Sequence, residues 1–442
     1  MSDDPDATDA PSDAAATGDE GGPPDESETD EGPANVRAVA LAVVAGVFFG
    51  GVATGVAFPT LPLLDDLLGI SAVVLGFVLA ANRIARLVTN TPAGSVIDRL
   101  GARRPMIAGL FVQGLAPFGY VLGMSVPAVD VLWVPGIGPV SAPAVVFIIS
   151  RLLWGVGSAF VFLGAFATVT YVTTERNRGR WLGVVRAGQS MGFPTGLVLG
   201  GLLADLVSIT AAFLTAGVLA LLAAVVALFV LPDVRPDAEG GTGLRAVPAL
   251  LRREPTILPI GLGNLTVRFV FGGVLLATVV KYAEAVDISV SALDAAGVSG
   301  LVLGTGVVVS SITTVASGRI SDSMENRAVV TVPAFLAMVV GLVILAFVPT
   351  LAGLFGATAL IGLGVGGTGP VLLALLGDVT PGSEVGRMGG VYNVMGDLGL
   401  SLGPLLAVPM VDTWLGFRAT YLACAGVVLV TLVLVVLTLV RH

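Results

Sequence analysis

Apolar and polar positions alternate along this chain in long blocks. Continuous apolar runs of about 20 residues or more recur from residue 37 onward, each closed by a short polar stretch holding Gly, Pro, Arg or Asp. Runs of that length cross the ~30 Å hydrocarbon core of a bilayer as α-helices. They are continuous and lack period-two alternation, which excludes a transmembrane β-barrel. Spans are predicted near 37–60, 70–92, 104–124, 144–172, 180–204 and 209–231, and near 256–281, 293–317, 327–348, 352–376, 386–409 and 415–439. The fold class is therefore an all-α polytopic membrane protein of twelve transmembrane helices in two six-helix bundles.

Four regions follow from this pattern: an acidic tail (1–36), a first bundle (37–231), a polar linker (232–255) and a second bundle (256–442). The halves repeat. Gly179-Arg180-Trp-Leu-Gly183-Val184 is matched by Gly386-Arg387-Met-Gly-Gly390-Val391, and the same offset carries Gly192 to Gly399, Gly196 to Gly403, Gly155 to Gly362 and Gly157 to Gly364. A loop over 125–143 accounts for the greater length of the first half. Parallel repeats joined by an internal linker suggest two bundles facing a central cavity.

Composition sharpens the picture. The 442 residues are 55% hydrophobic and 12% charged, about half the charge of a soluble protein. Residues 1–36 hold twelve acids and no base before Arg37, which predicts a disordered, cytoplasmic tail and not a signal peptide. With both ends inside, fifteen arginines fall on internal segments, while only Lys281 and Arg418 fall on external ones. That asymmetry fixes the expected orientation, with both termini cytoplasmic and the plasma membrane as location. One cysteine (Cys424) and one histidine (His442) exclude a disulfide framework or a histidine-based metal site. A single lysine outside any glycine-rich loop excludes a Walker A phosphate site. No enzyme activity and no cofactor are expected beyond a coupling ion, for which a proton is a candidate.

The densest charge cluster outside the tail is Gly94-Ser-Val-Ile-Asp98-Arg99-Leu-Gly101-Ala-Arg103-Arg104. With Arg151-x-x-x-Gly155-x-Gly157 and the helix-5 run Gly188-x-x-x-Gly192-x-x-x-Gly196-Leu197-x-x-Gly200-Gly201, it makes the chain resemble the major facilitator superfamily over about residues 37–440. The helix-5 run departs from the family's exporter motif, with Leu197 where a proline is expected and Pro194 nearby; helix 11 keeps Gly399-x-x-x-Gly403-Pro404. The resemblance implies a secondary transporter working by alternating access, antiporter or symporter. Gly94 is expected to bring helix 2 close to a neighbour, and Asp98 to latch one side shut through the arginines of its loop. The glycines 192, 196, 200, 399 and 403 are expected to pack helices closely.

Charges inside a membrane are costly and mark function by default. Arg83, Arg86, Arg151, Arg186 and Arg268 lie within spans, against one acid well inside, Asp397. Arg83, Arg268, Arg151 and Arg186, with Asn264 and Asn393, are substrate-cavity candidates, and their positive excess suits a small anion. The bland alternative ties these arginines to backbone carbonyls and to Asp397. Asp397 is the coupling candidate; a permanent ion pair is its alternative. A second functional reading is a proton-coupled exporter of lipophilic compounds, and a third is a transporter-like sensor or scaffold. The partners expected are the lipid bilayer and a small-molecule substrate, with no nucleic acid and no obligate protein partner.

Overall fold

The computed structural model describes residues 36–233, 257–380 and 385–440. The predicted acidic tail and most of the linker lie outside these residues. Among the described residues twelve long helices form in the order expected: α1 (Val36–Thr60), α2 (Ala72–Leu100), α3 (Arg103–Ser125), α4 (Ala142–Val172), α5 (Glu175–Leu206), α6 (Ile209–Val230), α7 (Ile257–Ala285), α8 (Ala295–Asp322), α9 (Thr331–Phe347), α10 (Leu351–Val379), α11 (Val385–Val411) and α12 (Gly416–Val435). Eleven of them, counting the turns that extend some ends, are long and apolar enough to cross a membrane. The twelfth, α5, has the length, at 32 residues, but carries Gln189, Ser190, Thr195 and a row of glycines. It packs between α1 and α8.

Observed helices run past several predicted ends. α2 continues eight residues beyond 92 to Leu100, through Pro92, because the polar turn begins only where Gly101 takes φ +81°. Two strands depart from the all-α expectation. β1 (Asp130–Val134) and β2 (Gly138–Ser141) pair antiparallel across a turn with positive-φ Gly136. They form a hairpin inside the segment read as a loop.

The sequence repeat is visible in the packing. Gly192 and Gly196 of α5 lie against the backbone of Phe48 and Val52 on α1, and their mates Gly399 and Gly403 of α11 lie against Leu265 and Gly273 on α7. Gly200 continues the α5 row onto Val56. Gly155 meets α2 at Asn82, and its mate Gly362 meets α8 at Gly306. Small residues let these backbones touch where no hydrophobic force draws helices together.

One face carries both ends of the described chain; the other carries the β-hairpin. The two differ in how the bundles meet. Near the hairpin face, Phe58 and Leu197 of the first bundle join the second bundle's core, and Ala277 and Val408 of the second join the first bundle's core. Near the terminal face the first bundle closes on itself, in a cluster running from Val39 through Met106 and Val172 to Leu231. Side chains added at Gly94, Gly318 or Gly389 there would meet nothing within 4 Å. The expected close approach at Gly94 is therefore not made in this conformation.

Polar contacts reinforce closure at the hairpin face. Lys281 on α7 bonds Asp65, just past α1, and reaches Asp412 beyond α11 at 3.3 Å. Asp205 at the end of α5 accepts hydrogen bonds from the backbone N–H groups of Asp294 (2.7 Å) and Gly297 (2.6 Å) at the start of α8. A carboxylate there complements the helix's partial positive charge. The molecule is thus shut on the hairpin face, while near the terminal face the first bundle's core closes without residues of the second among those described.

Gly300 sits where α8 crosses α5, and a Cβ there would lie 2.5 Å from the carbonyl oxygen of Leu197. Gly300→Val should therefore hold the hairpin face apart. A cysteine at Ala277, in a Cys424→Ser background, is expected to resist a membrane-impermeant maleimide with Gly300 in place and to label readily in Gly300→Val. Equal labelling would show that this crossing does not control closure.

Candidate functional site

At mid-depth the first bundle presents a cavity lined by residues of α1 to α5. Arg83 and Arg86 enter from α2, Gln113 from α3, Trp154, Ser158 and Phe162 from α4, and Gln189 and Phe193 from α5. Gly50, Gly51 and Thr54 of α1 form the remaining wall. Several polar groups here have no partner among the described residues: Gln113 Oε1, Trp154 Nε1 and both amide atoms of the adjacent, fully buried Asn82. Buried polar atoms are rarely left unpaired, so such a set marks a place where water or solute completes the bonding.

Across from this cavity the second bundle contributes Asp397 on α11. Its carboxylate accepts a 2.6 Å hydrogen bond from Arg86 Nη2, an ion pair joining α2 to α11 with both side chains largely buried. Arg268 on α7 lies over Gly396, where any Cβ would come within 2.6 Å of its side chain. Its Nε donates to Asn264 Oδ1 at 3.1 Å, and Asn264 Nδ2 donates to the Tyr392 carbonyl at 2.7 Å. Immediately after Arg268 the helix loosens into a π-helical segment, Phe269–Leu275. Such insertions are frequent at functional sites.

Charge accounting is then simple. Arg86, Asp397, Arg151 and Arg268 all lie close enough to act electrostatically on Arg83. Asp397 is engaged by Arg86. Among the described residues Arg83 has no hydrogen bond or ion pair, and the guanidinium of Arg268 is tied only to the neutral Asn264. Among the described residues neither arginine has an ion-pair partner of its own.

The other sequence candidates fall elsewhere. Arg151, 1% exposed, is absent from the cavity wall: its Nε and Nη2 donate to the carbonyls of Val78 (3.1 Å) and Leu79 (2.9 Å), and its guanidinium lies 5.6 Å from the Phe58 ring. It staples α4 to α2. Arg186 is exposed and stacks near Phe166 at 5.7 Å; Asn393 is exposed, outside the lining. Asn264 is buried and acts by orienting Arg268. Gln189 on α5 also lines the cavity.

The cluster at 94–104 is open. Asp98 and Arg99 are exposed, and among the described residues Asp98 has no hydrogen bond or ion pair. Arg104 is exposed too, while Arg103 Nη2 donates to the Leu228 carbonyl on α6 at 3.0 Å. In the second bundle, Arg327 bridges Asp322 (3.1 Å) and Asp378 (3.4 Å). Sequence reading missed Lys281, Asp65 and Asp412 as a joint, because their only signal was one lysine on an otherwise base-poor face.

The family model for the Major Facilitator Superfamily matches residues 43–350 and 260–442. The chain belongs to this superfamily. Multidrug resistance protein 2 of Bacillus subtilis (strain 168) is 28% identical over 197 residues, 45% of this chain and 44% of that protein. The aligned part thus spans less than half of that relative's length. The multi-drug resistance efflux pump PmrA of Streptococcus pneumoniae is 26% identical over 387 residues, 86% of this chain and 90% of that one. Among solved structures, a bacterial homolog of the human lysosomal transporter Spinster, in an inward-facing and occupied conformation, superposes with a TM-score of 0.66 at 14% identity, covering 91% of this chain and 95% of that chain. The fold is that of the superfamily, with twelve helices in two bundles.

The bonding separates structural from free arginines. Arg151→Ala removes two charge-assisted hydrogen bonds from a buried site, a loss of about 2–4 kcal/mol. Thermal unfolding of the purified protein should show a clear drop in midpoint for Arg151→Ala. Arg83→Ala should leave the midpoint unchanged or raise it, since it removes an unpaired charge. Equal drops in the two variants would refute the distinction.

Proposed function

We propose that this protein is a secondary transporter working by alternating access, with the terminal face toward the cytoplasm of the cell whose plasma membrane it spans. The fifteen-to-two asymmetry of basic residues supports that orientation. The conformation described is then inward-open. The substrate site is the mid-depth cavity lined by Arg83 on α2, with Arg268 on α7 outside that lining but close enough to act on Arg83, and the solute is a small organic anion. The observation that carries this reading is the pair of guanidinium groups without an ion-pair partner of their own among the described residues, beside an acid already taken by Arg86. Planar guanidinium groups suit carboxylate or phosphate-like oxygens, and a low-dielectric site strengthens that attraction.

Asp397 is the coupling group in this scheme. Its carboxylate is held by Arg86; a substrate anion that drew Arg86 away would release it, so substrate and Asp397 compete for one arginine. Asp397→Asn should abolish proton-driven transport while sparing counterflow exchange, and unchanged proton-driven flux would remove Asp397 from coupling.

The names of the similar proteins favour a second reading, export of lipophilic compounds, with Trp154, Phe162 and Phe193 as an aromatic wall. Thermal stabilisation by candidate solutes separates the two. A panel of small carboxylates and phosphates should stabilise the purified protein, and Arg83→Ala and Arg268→Ala should each abolish that effect. Stabilisation by hydrophobic cations and by no anion would overturn the anion reading.

A further inference from the structure

A second recess lies apart from the cavity and shares none of its residues. It is roofed by the β-hairpin and floored by the first turns of α2 and α4. Its lining is Val74 and Phe77 from α2, Leu132, Val134, Ile137 and Val140 from the hairpin, and Val145, Ile148 and Ile149 from α4. All nine are apolar. A recess without donors or acceptors offers water nothing to bond and stays dry unless hydrocarbon fills it.

The hairpin itself is built for a membrane boundary. Leu132 and Val134 line the recess, Leu132 remaining 54% exposed, and their neighbours Val131 and Trp133 are 57% and 67% exposed. A two-stranded hairpin apolar on both faces has little reason to be stable in water. It is secured to the helices by Ser141 Oγ, which donates to the Leu68 carbonyl at 3.2 Å, and by Ala142 N, which donates to the Val129 carbonyl at 2.8 Å. Tryptophan favours the boundary between headgroups and hydrocarbon, and Trp414 stands exposed on the same face. At or beside the recess, Val73, Phe77 and Ile149 are exposed on helices long and apolar enough to span a bilayer.

We infer that this recess is a binding groove for one acyl chain of a bilayer phospholipid, held beneath a hairpin that lies in the membrane interface. Its floor residues sit in the first two turns of α2 and α4, within about 10 Å of the helix starts at 1.5 Å per residue. That is the depth of the upper acyl region of the leaflet on the hairpin face. The site also touches the conformational machinery: Gly76, between Val74 and Phe77, packs on α11, where a Cβ would lie 2.8 Å from the Pro404 carbonyl oxygen. A chain in the groove therefore bears on the helix that closes the hairpin face.

Native mass spectrometry of the full-length protein released from phosphatidylcholine discs tests this directly. The unaltered protein should retain one phospholipid that survives gentle activation, and brominated-chain phosphatidylcholine should replace it with the matching mass shift. Ile149→Trp, which fills the groove with an apolar ring, and Phe77→Glu, which places a carboxylate at its mouth, should each lower that retained fraction about tenfold, the equivalent of losing roughly two methylene groups of burial. Leu222→Trp, on the exposed face of α6, should retain the lipid. A retained lipid count unchanged by both groove substitutions, or lowered equally by Leu222→Trp, overturns the assignment, as does retention of detergent instead of phospholipid.

Discussion

An ion pair between two bundles at the middle of a membrane constrains everything around it. Arg86 and Asp397 come from helices in different halves of the chain, 311 residues apart, and meet at 2.6 Å where neither can be left alone at low cost. Removing one partner from a buried pair typically costs about 3–5 kcal/mol, because the other charge is stranded. The pair therefore works as a joint. While it holds, α2 and α11 stay registered at mid-depth, and motion is left to the two ends of the bundles.

The ends are treated differently. On the hairpin face the bundles interleave: Phe58 and Leu197 enter the second core, Ala277 and Val408 enter the first, and Lys281 and Asp205 add polar ties. On the terminal face the first bundle satisfies itself, and the charges around Asp98 stand open. The arginine-rich turn that dominates the sequence, expected to act as a latch, makes no hydrogen bond or ion pair to the second bundle among the described residues. Between the ends, Arg83 in the cavity wall and Arg268 beyond it have no ion-pair partner among the described residues.

Much of this was readable from residues alone, for identifiable reasons. Helix positions are dictated by hydrocarbon thickness, and the repeat by glycines that must let backbones touch, so both survive as sequence patterns. The excess of buried arginines was equally plain. Partners were not: an arginine bonded to carbonyls of Val78 and Leu79 has no signature, because every residue offers a carbonyl, and so Arg151 looked like a cavity group. The hairpin was hidden for a similar reason. Asp130-Val-Leu-Trp-Val134 reads as a short apolar stretch in a loop, and only its pairing with Gly138–Ser141 reveals strands. The π-helical segment after Arg268 is a matter of hydrogen-bond register, which side-chain types do not encode.

The joint at Arg86 and Asp397 can be tested by its effect on bundle separation. Spin labels at positions 99 and 389, near the terminal ends of α2 and α11, report that separation by pulsed electron resonance in a Cys424→Ser background. With the pair intact, one long-distance population should dominate. Arg86→Gln or Asp397→Asn should broaden the distribution toward shorter distances, and the charge swap Arg86→Asp with Asp397→Arg should restore the single population. Identical distributions in all four proteins would contradict the claim that this pair holds the two halves of the molecule in register.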